Sequence, residues 1–332
     1  MGAFDEEDYQ DMKTKKVCIL GGTGFVGRYL SRSLVQRGYQ VRVLSRHPQR
    51  HRDLASREVE VLLTETYDES QLRECFVGMD AVINLVGILN EWGSDGSGFQ
   101  SAHVSLPRNI VAACKGAKVA RLLHMSALKA GDPTAQSHYL RTKGEGEDLV
   151  HAEAGSELAV TSFRPSVIFG RGDNFLNVFA FMLRLAPFLP LGCSESRVAP
   201  VYVGDVVAAF VAALEDPTSR GKRYNLCGPK IYTLRQIVEY LSEIMQLRRI
   251  IVPLSPALSQ LQAKVLGLIP GAPFSMDNYR SLQTESTCAV GEMLPFAITP
   301  TPLEVIAPYY IGKSNQRARY TLLRSQAGRE SR

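Results

Sequence analysis

The segment Tyr139-Leu140-Arg141-Thr142-Lys143 places a phenol and an amine four residues apart. On a helix these two side chains share a face, and a neighbouring ammonium group lowers the pKa of a phenol. Such a pair can hold or release a proton during a reaction. The same spacing recurs twice near the chain termini, but only this segment opens a predicted helix directly after a predicted strand. Tyr139 and Lys143 are therefore candidate catalytic residues.

A glycine-rich turn is the second candidate site, and it consists of Gly21, Gly22, Thr23, Gly24, Phe25, Val26 and Gly27. It follows an apolar run at residues 17–20 and opens an amphipathic segment that extends to residue 38. Glycine permits a tight turn and lets the backbone approach a pyrophosphate, which the N–H groups of a helix N-terminus bind. The motif predicts a dinucleotide site. A strand-to-helix turn without a ligand is the alternative.

The residues that end the second apolar run, Ser45 and Arg46, bear on which dinucleotide is bound. An acidic residue about 20 positions after the glycines would bind the ribose hydroxyls of NAD, whereas a guanidinium there can clamp a 2′-phosphate. We therefore predict NADP(H) in preference to NAD(H). The alternative is that Arg46 is a solvated loop residue, because the whole segment from 46 to 52 is basic.

The histidines and cysteines predict neither a metal site nor a disulfide framework. None of the six histidines has a companion cysteine or acid at metal-ligand spacing, so no metal is expected. The six cysteines are scattered and contain no C-x-x-C pair. We predict buried, reduced thiols and a cytoplasmic location.

The candidate residues must be positioned by alternating strands and helices. Short apolar runs begin near residues 17, 41, 59, 81, 122 and 158, and segments of helical length separate them. This alternation predicts an α/β protein with a doubly wound parallel sheet, the Rossmann arrangement, followed by a smaller and mostly helical C-terminal lobe. The predicted divisions are an acidic extension (1–14), a Rossmann core (15–170), a lobe (171–312) with a segment that returns to the core near 197–228, and a basic tail (313–332).

Several motifs, in this order, make the chain similar to a known superfamily. They are the glycine turn, Asn84-Leu85-Val86-Gly87, the Tyr139–Lys143 segment, Arg164-Pro165 and Phe169-Gly170. Together they resemble the atypical or extended short-chain dehydrogenases/reductases, which include the NAD-dependent epimerases and dehydratases. The stretches 138–147 and 168–177 are similar to the complex I accessory subunit family (alpha subcomplex subunit nine) and its bacterial relatives. That branch is implied to bind NADPH, and some members are linked to ubiquinone biosynthesis or respiratory assembly.

The resemblance also implies roles for individual residues. Asn84 and Gly87 would line the nicotinamide side. Tyr139 and Lys143 would also bind the cofactor, with Lys143 holding the ribose. The other residues implied to bind the cofactor are Leu85, Val86, Arg164 and Pro165. Ser126 would be the catalytic hydroxyl. In catalytic members that hydroxyl falls one or two residues later, where Ala127 and Leu128 stand in this sequence.

The excess of basic over acidic residues lies at the end of the chain. The net charge is +5, yet residues 1–312 contain equal numbers of basic and acidic residues, and residues 313–332 contain six basic residues and one acid. A nucleic-acid-binding surface is therefore not indicated, and no apolar run predicts a transmembrane segment. The basic tail is predicted to bind an anionic membrane surface or an acidic partner subunit, as on a respiratory complex, which would make the protein peripheral to the inner membrane. A solvated tail is the alternative.

Two functions follow from the sequence. The first is an NADP(H)-dependent oxidoreductase that acts on an apolar small molecule, with quinone-related compounds among the candidates. The second is an NADPH-binding accessory or assembly protein of respiratory complex I or of ubiquinone biosynthesis, without turnover.

Overall fold

A computed structural model of the chain describes residues 15–64, 68–91, 95–267 and 274–312. The acidic extension and the basic tail predicted from the sequence lie outside these residues.

A seven-stranded parallel sheet positions the candidate site. Its strands are β1 (Lys16–Leu20), β2 (Gln40–Ser45), β3 (Val59–Leu63), β4 (Ala81–Asn84), β5 (Arg121–Met125), β6 (Ala159–Pro165) and β11 (Arg223–Leu226). Their spatial order is β3-β2-β1-β4-β5-β6-β11, and every neighbouring pair is parallel. The chain therefore leaves β1 towards one edge and returns at β4 on the other side. This reversal opens a crevice at the carboxyl ends of β1 and β4, where open α/β sheets bind ligands.

Helices cover both faces of this sheet. They are α1 (Phe25–Gln36), α2 (Glu69–Phe76), α3 (Ser97–Gln100), α4 (Leu106–Gly116), α5 (His138–Glu153) and α7 (Val203–Glu215). One apolar core joins α1 and α7 to one face, and a second joins α2, α4 and α5 to the other. Because both faces are covered, β4 and β5 are buried along their whole length, which explains the apolar residues that predominate in both strands. The parallel sheet with helices on both faces confirms the predicted doubly wound α/β class.

The helical segment between β4 and β5 is interrupted in the structure. A π-helical segment, Ser101–Ser105, separates α3 from α4. Segments of this kind often mark functional sites, and this one carries His103 to the neighbourhood of Tyr139.

The C-terminal lobe consists of helices and short two-stranded sheets. Its helices are α6 (Phe175–Leu185), α8 (Leu234–Ile244), α9 (Pro256–Leu266), α10 (Met276–Ser281) and α11 (Leu303–Ile311). The strand pairs are β7 (Ile168–Phe169) with β10 (Val201–Tyr202), β9 (Arg197–Val198) with β12 (Tyr232–Thr233), and β8 (Phe188–Leu191) with β13 (Ile250–Pro253). A separate apolar core joins α6, α8 and α11. Thr233 is the N-cap of α8 and forms a capping box with Gln236. The pair β8/β13 was not predicted. The predicted division at residue 170 stays a prediction.

The prediction that all cysteines are reduced is wrong for one pair. Cys227 and Cys288 form a disulfide in the structure, with their Cα atoms 6.1 Å apart. They are 61 residues apart in sequence, so their spacing along the chain gave no sign that the fold brings them within bonding reach. The disulfide joins the end of β11 to a loop of the C-terminal lobe. The other four cysteines are free.

In the part of the chain that the structure describes, no helix has both the length and the apolar character needed to cross a bilayer.

Candidate active site

The glycine turn lies in the crevice between β1 and β4. Gly21 has a φ of +80°, a conformation that favours glycine, and its Cα faces the backbone of Leu85 after β4. A Cβ on Gly27 would overlap the carbonyl oxygen of Gly21, so this position must be glycine for α1 to pack against β1. The turn thus brings the first turn of α1 to the switch point of the sheet.

The N-terminus of α1 fits a pyrophosphate. Its N-cap, Gly24, has no side chain to occupy the N–H groups of the first turn, and that turn carries no acidic residue. A helix N-terminus left open in this way is a binding site for anions because its N–H groups and its dipole both attract negative charge. The residues predicted to hold a dinucleotide therefore suit its phosphates.

Two cations lie near the carboxyl end of β2. Ser45 is buried, and its hydroxyl accepts a hydrogen bond from the backbone N–H of His47. The side chain of Arg46 is exposed, and no ion pair to a described residue occupies it. Arg28, which the sequence reasoning missed, follows the glycine turn directly and donates to the Thr23 carbonyl at 3.1 Å and to Asp53 at 2.5 Å.

The loop after β4 is held by buried polar groups. The Asn84 side chain is buried, and its Oδ1 accepts a hydrogen bond from the Val86 N–H at 3.0 Å while its amide contacts His124 Nδ1 at 3.2 Å. His124 is buried, and loss of hydration lowers its pKa well below the usual value, so the ring is neutral. Asn84 therefore shapes the loop at residues 85–87, whose backbone faces the crevice.

Lys143 joins the ends of two strands beneath this loop. Its Nζ donates to the Met125 carbonyl at 3.0 Å and to the Val86 carbonyl at 3.4 Å. Burial lowers its pKa to about 8, and the carboxylate of Glu147 opposes that shift. A Cβ on Gly87 would lie 2.9 Å from Lys143 Nζ, so the absence of a side chain at Gly87 keeps the space above the amine open.

Tyr139 lies one turn before Lys143 at the start of α5. Its ring contacts the edges of two other aromatic rings, His103 at 5.5 Å and Phe99 at 6.3 Å between centroids. These surroundings shield the phenol from water and raise its pKa to about 12. The expectation that Lys143 lowers this pKa is therefore wrong, because the loss of hydration decides its direction. Tyr139 and Lys143 therefore share one face of α5 at the carboxyl edge of the sheet, as their spacing predicts.

His103 is a second site residue that the sequence reasoning missed. Its Nε2 accepts a hydrogen bond from the Ile88 N–H at 3.1 Å, so its Nδ1 carries the proton and donates to the Thr142 hydroxyl at 3.0 Å. Burial lowers its pKa to about 2, which keeps the ring neutral at physiological pH. His103 thus ties the loop after β4 to the helix that carries Tyr139.

Ser126 and Arg164 meet at a carboxylate rather than at Tyr139. The Ser126 hydroxyl donates to Glu147 at 2.8 Å, and Arg164 donates to both oxygens of the same group, at 2.8 and 2.9 Å. Glu147 is fully buried and lies two helical turns beyond Tyr139. The catalytic role of Ser126 and the cofactor role of Arg164 stay predictions. In this geometry both side chains donate hydrogen bonds to the Glu147 carboxylate.

The residues after Ser126 make the wall beside Tyr139 apolar. Ala127 is buried in a small cluster with Leu140, and Tyr139 packs against that cluster. Leu128 packs in another with Ala199 and the disulfide, and its N–H donates to the carbonyl of Pro165. Neither side chain can donate a hydrogen bond. The phenol of Tyr139 is therefore the donor at this wall.

The C-terminal lobe contacts the site through α10. The Asp277 carboxylate accepts hydrogen bonds from the N–H groups of His138 at 2.7 Å and Tyr139 at 3.0 Å. The neighbouring Asn278 donates to the Leu89 carbonyl at 3.1 Å. These two residues bridge α5 and the loop after β4, and no sequence motif marked them.

Other acidic and metal-ligating side chains lie outside the crevice. Asp205 accepts hydrogen bonds from the N–H and the hydroxyl of Thr301, so it pins a loop of the lobe. Within the described ranges, no three His, Cys, Asp or Glu side chains come together as a metal site would require.

Comparison with known proteins decides the family. Residues 17–227 match the NAD dependent epimerase/dehydratase family. The chain belongs to this family. Its described site occupies the switch-point crevice of the family's fold, and the resemblance inferred from the motifs is confirmed.

The relatives include both a subunit of a respiratory complex and a reductase. The chain is 33% identical over 301 residues to NADH dehydrogenase [ubiquinone] 1 alpha subcomplex subunit 9, mitochondrial, of Mus musculus, covering 86% of this chain and 77% of that protein. It is 35% identical over 202 residues to the ceramide reductase of Caulobacter vibrioides, covering 60% and 61%. Among solved structures, the Bordetella bronchiseptica enzyme WbmH in complex with NAD+ has a TM-score of 0.66 at 19% identity, covering 92% and 99%. This last likeness concerns the fold.

Proposed function

We propose that this protein is an NADP(H)-dependent oxidoreductase that reduces a carbonyl group of an apolar small molecule. The observation that carries the proposal is the position of Tyr139 and Lys143. They share one face of α5 at the switch point of the sheet, and Lys143 bonds to the chain at the ends of β4 and β5. The open N-terminus of α1 lies at the same crevice.

The protonation state of Tyr139 favours the reductive direction. Its pKa is raised to about 12, so the phenol holds its proton at neutral pH and can donate it to a carbonyl oxygen. The nicotinamide ring, when bound, would supply the hydride. Lys143 is partly protonated near its pKa of about 8, and its charge stabilises the phenolate that proton donation leaves behind.

Arg46 supports NADP(H) as the cofactor. Its exposed guanidinium lies directly after β2, where the adenosine ribose of a dinucleotide is recognised in this fold. Arg28 lies near the same loop, but Asp53 and the Thr23 carbonyl already occupy its donors. Arg46 is therefore the group we assign to the 2′-phosphate.

The wall beside Tyr139 supports an apolar substrate. Ala127 and the ring of Phe99 flank the phenol and offer no hydrogen-bond donor, so binding there depends on apolar contact. Quinone-related compounds and long-chain carbonyl compounds both fit this description. The name of the Caulobacter relative, a ceramide reductase, concerns an apolar compound as well.

The proposal is tested by replacing Tyr139 with Phe. The matched control is Tyr309→Phe on the exposed face of α11. We expect Tyr139→Phe to bind NADPH as the unmodified protein does and to lose at least about a hundredfold in NADPH oxidation, since a positioned general acid contributes about 10²–10⁴-fold. The control should change neither quantity. Unchanged turnover in Tyr139→Phe would contradict the proposal.

A second function is supported by a separate observation. Ser126 is bonded to Glu147, and Ala127 and Leu128 are apolar, so the crevice lacks the additional hydroxyl of the family's catalytic pattern. In this alternative the protein binds NADPH without turnover and serves as an accessory or assembly protein of respiratory complex I or ubiquinone biosynthesis. Co-purified NADPH that no quinone or carbonyl compound oxidises would favour it. The partner would then bind surfaces away from the crevice, the basic tail included.

A further inference from the structure

One flank of the C-terminal lobe exposes large apolar side chains. Phe181 and Leu185 lie one turn apart on α6, so they share a face. Phe188 begins β8 three residues later and is paired in register with Ile250 on β13, and Val252 follows on the same face of β13. All five side chains are at least 42% exposed. The alternate residues of β8, Leu189 and Leu191, are buried in the core of the lobe.

The helix after β13 extends this surface. Leu258, Leu261 and Val265 recur at helical spacing on α9, and each is more than half exposed. The opposite side of α9 is attached to the lobe, because Ala263 is buried and the Gln262 amide donates to the Pro190 carbonyl in β8 at 3.0 Å. We call the eight exposed residues the apolar flank: Phe181, Leu185, Phe188, Ile250, Val252, Leu258, Leu261 and Val265.

The segments that carry the apolar flank, residues 175–194 and 244–267, contain basic residues and no acidic ones, and the nearest acids in sequence, Glu195 and Glu243, lie just outside them. The basic residues are Arg184, Arg248, Arg249 and Lys264. Arg249 donates to the Leu183 carbonyl at 2.6 Å and so lies against α6. Arg184, Arg248 and Lys264 are exposed, and none of them forms an ion pair with an acid in the described ranges.

We propose that the apolar flank binds the surface of a membrane that contains anionic lipids. Several large apolar side chains exposed on neighbouring elements mark an interaction site. Phe and aliphatic side chains flanked by Arg and Lys match an interfacial element, whose apolar groups enter the boundary of the acyl chains while the cations contact anionic headgroups. This inference does not depend on the proposed reaction.

Charge repulsion argues against the basic tail and against a second copy of the chain as the partner of the apolar flank. The basic tail carries six cations and one acid, so the four cations of the flank repel it. A second copy of the chain bound face to face would place the same four cations opposite themselves, because such an interface uses the same patch on both subunits. An anionic lipid surface is free of both conflicts.

Vesicle binding by the full chain tests the inference. The probes are vesicles of phosphatidylcholine alone and vesicles that also contain phosphatidylglycerol. The apolar variant is Phe188→Ser with Ile250→Ser, and its matched control is Val77→Ser with Val290→Ser, which changes exposed apolar residues elsewhere. The charge variant is Arg184→Glu with Lys264→Glu, and its matched control is Arg57→Glu with Lys222→Glu, which reverses the same number of charges elsewhere. All replaced side chains are exposed, so the fold is retained, which circular dichroism checks.

We expect the unmodified chain to bind the anionic vesicles and the apolar variant to lose about tenfold or more in affinity. The charge variant should lose a similar factor on anionic vesicles only, with a weaker dependence on salt. Both controls should bind as before, and the flank variants should lose the same factors when they are made in a chain shortened by residues 313–332. Binding that survives both variants, or that disappears only with the tail, would overturn the inference. So would a flank variant that turns a dimer into a monomer without changing vesicle binding.

Discussion

The carboxylate of Asp277 in α10 accepts a hydrogen bond from the backbone N–H of Tyr139, 138 residues earlier in the chain, at 3.0 Å. Its other oxygen accepts from the N–H of His138 at 2.7 Å. One side chain of the C-terminal lobe thus occupies two donors at the N-terminus of α5. The lobe thereby fixes the start of the helix that carries both candidate catalytic residues.

Replacing Asp277 with Ala should therefore impair catalysis without weakening NADPH binding. Both hydrogen bonds are lost, the first turn of α5 loosens, and we expect turnover to fall by about tenfold because small errors in position slow a reaction strongly. Removing such a cap also costs about 1 kcal/mol of unfolding free energy. The matched control is Asp68→Ala, which removes the cap of α2. It should cost similar stability and leave turnover unchanged; an equal loss of turnover in both variants would contradict a positioning role.

Replacing Arg46 with Asp should shift the preference from NADPH towards NADH. The variant removes a charge-assisted hydrogen bond to the 2′-phosphate and adds a repelling carboxylate, so NADPH affinity should fall by about tenfold to a hundredfold. The new carboxylate can accept the ribose hydroxyls of NADH. Titration with both nucleotides measures the ratio of the two affinities, and Arg57→Asp, before β3 at the amino ends of the strands, is the control. An unchanged ratio would mean that Arg46 is a solvated loop residue.

The burial of Lys143 should make the stability of the protein depend on pH. Its pKa falls from 10.5 to about 8 on folding, so between these values the unfolded state binds more protons than the folded state. Stability from this residue is therefore lowest below pH 8 and rises with pH above it. Compared with Lys143→Met, the unmodified protein should gain on the order of 2 kcal/mol between pH 7.5 and 9.5. Urea unfolding at several pH values measures the difference, and a constant difference would contradict the assigned pKa.

Replacing Ser126 with Ala should leave turnover nearly unchanged. The Ser126 hydroxyl donates to Glu147, which Arg164 also satisfies, so its loss should cost about 1 kcal/mol of unfolding free energy. Turnover should stay within about twofold of the unmodified protein. A loss of a hundredfold or more would instead assign the catalytic hydroxyl to Ser126, as the family resemblance implies. Steady-state rates and urea unfolding of the same preparation give both quantities.

The parts of the site that depend on short sequence distances could be predicted. The glycine turn, the apolar strands and the helix from His138 rest on local conformation and periodicity, and the structure places each of them as expected. The family and the α/β class followed from the order of these motifs. The register that pairs Leu20 with Asn84 comes from the structure and was not predicted.

The parts that depend on long-range contacts could not be predicted. His103, Asp277 and the Cys227–Cys288 disulfide act through neighbours that only the folded chain brings together. A histidine in a π-helical segment and an acid in a short helix of the lobe look like ordinary residues in the sequence. The hydroxyl of Ser126 could equally have faced Tyr139 or Glu147, because the sequence does not fix the rotamer of a residue that follows a strand.

The central claim is hydride transfer from NADPH with Tyr139 as the proton donor. The most direct measurement uses NADPH that carries deuterium at its transferable position, together with an apolar quinone or long-chain carbonyl compound, and analyses the product by mass spectrometry. We expect the unmodified protein and Tyr309→Phe to transfer deuterium to the product. Tyr139→Phe should bind NADPH but transfer deuterium at least about a hundredfold more slowly. Tightly bound NADPH that keeps its deuterium with every such compound would contradict the account.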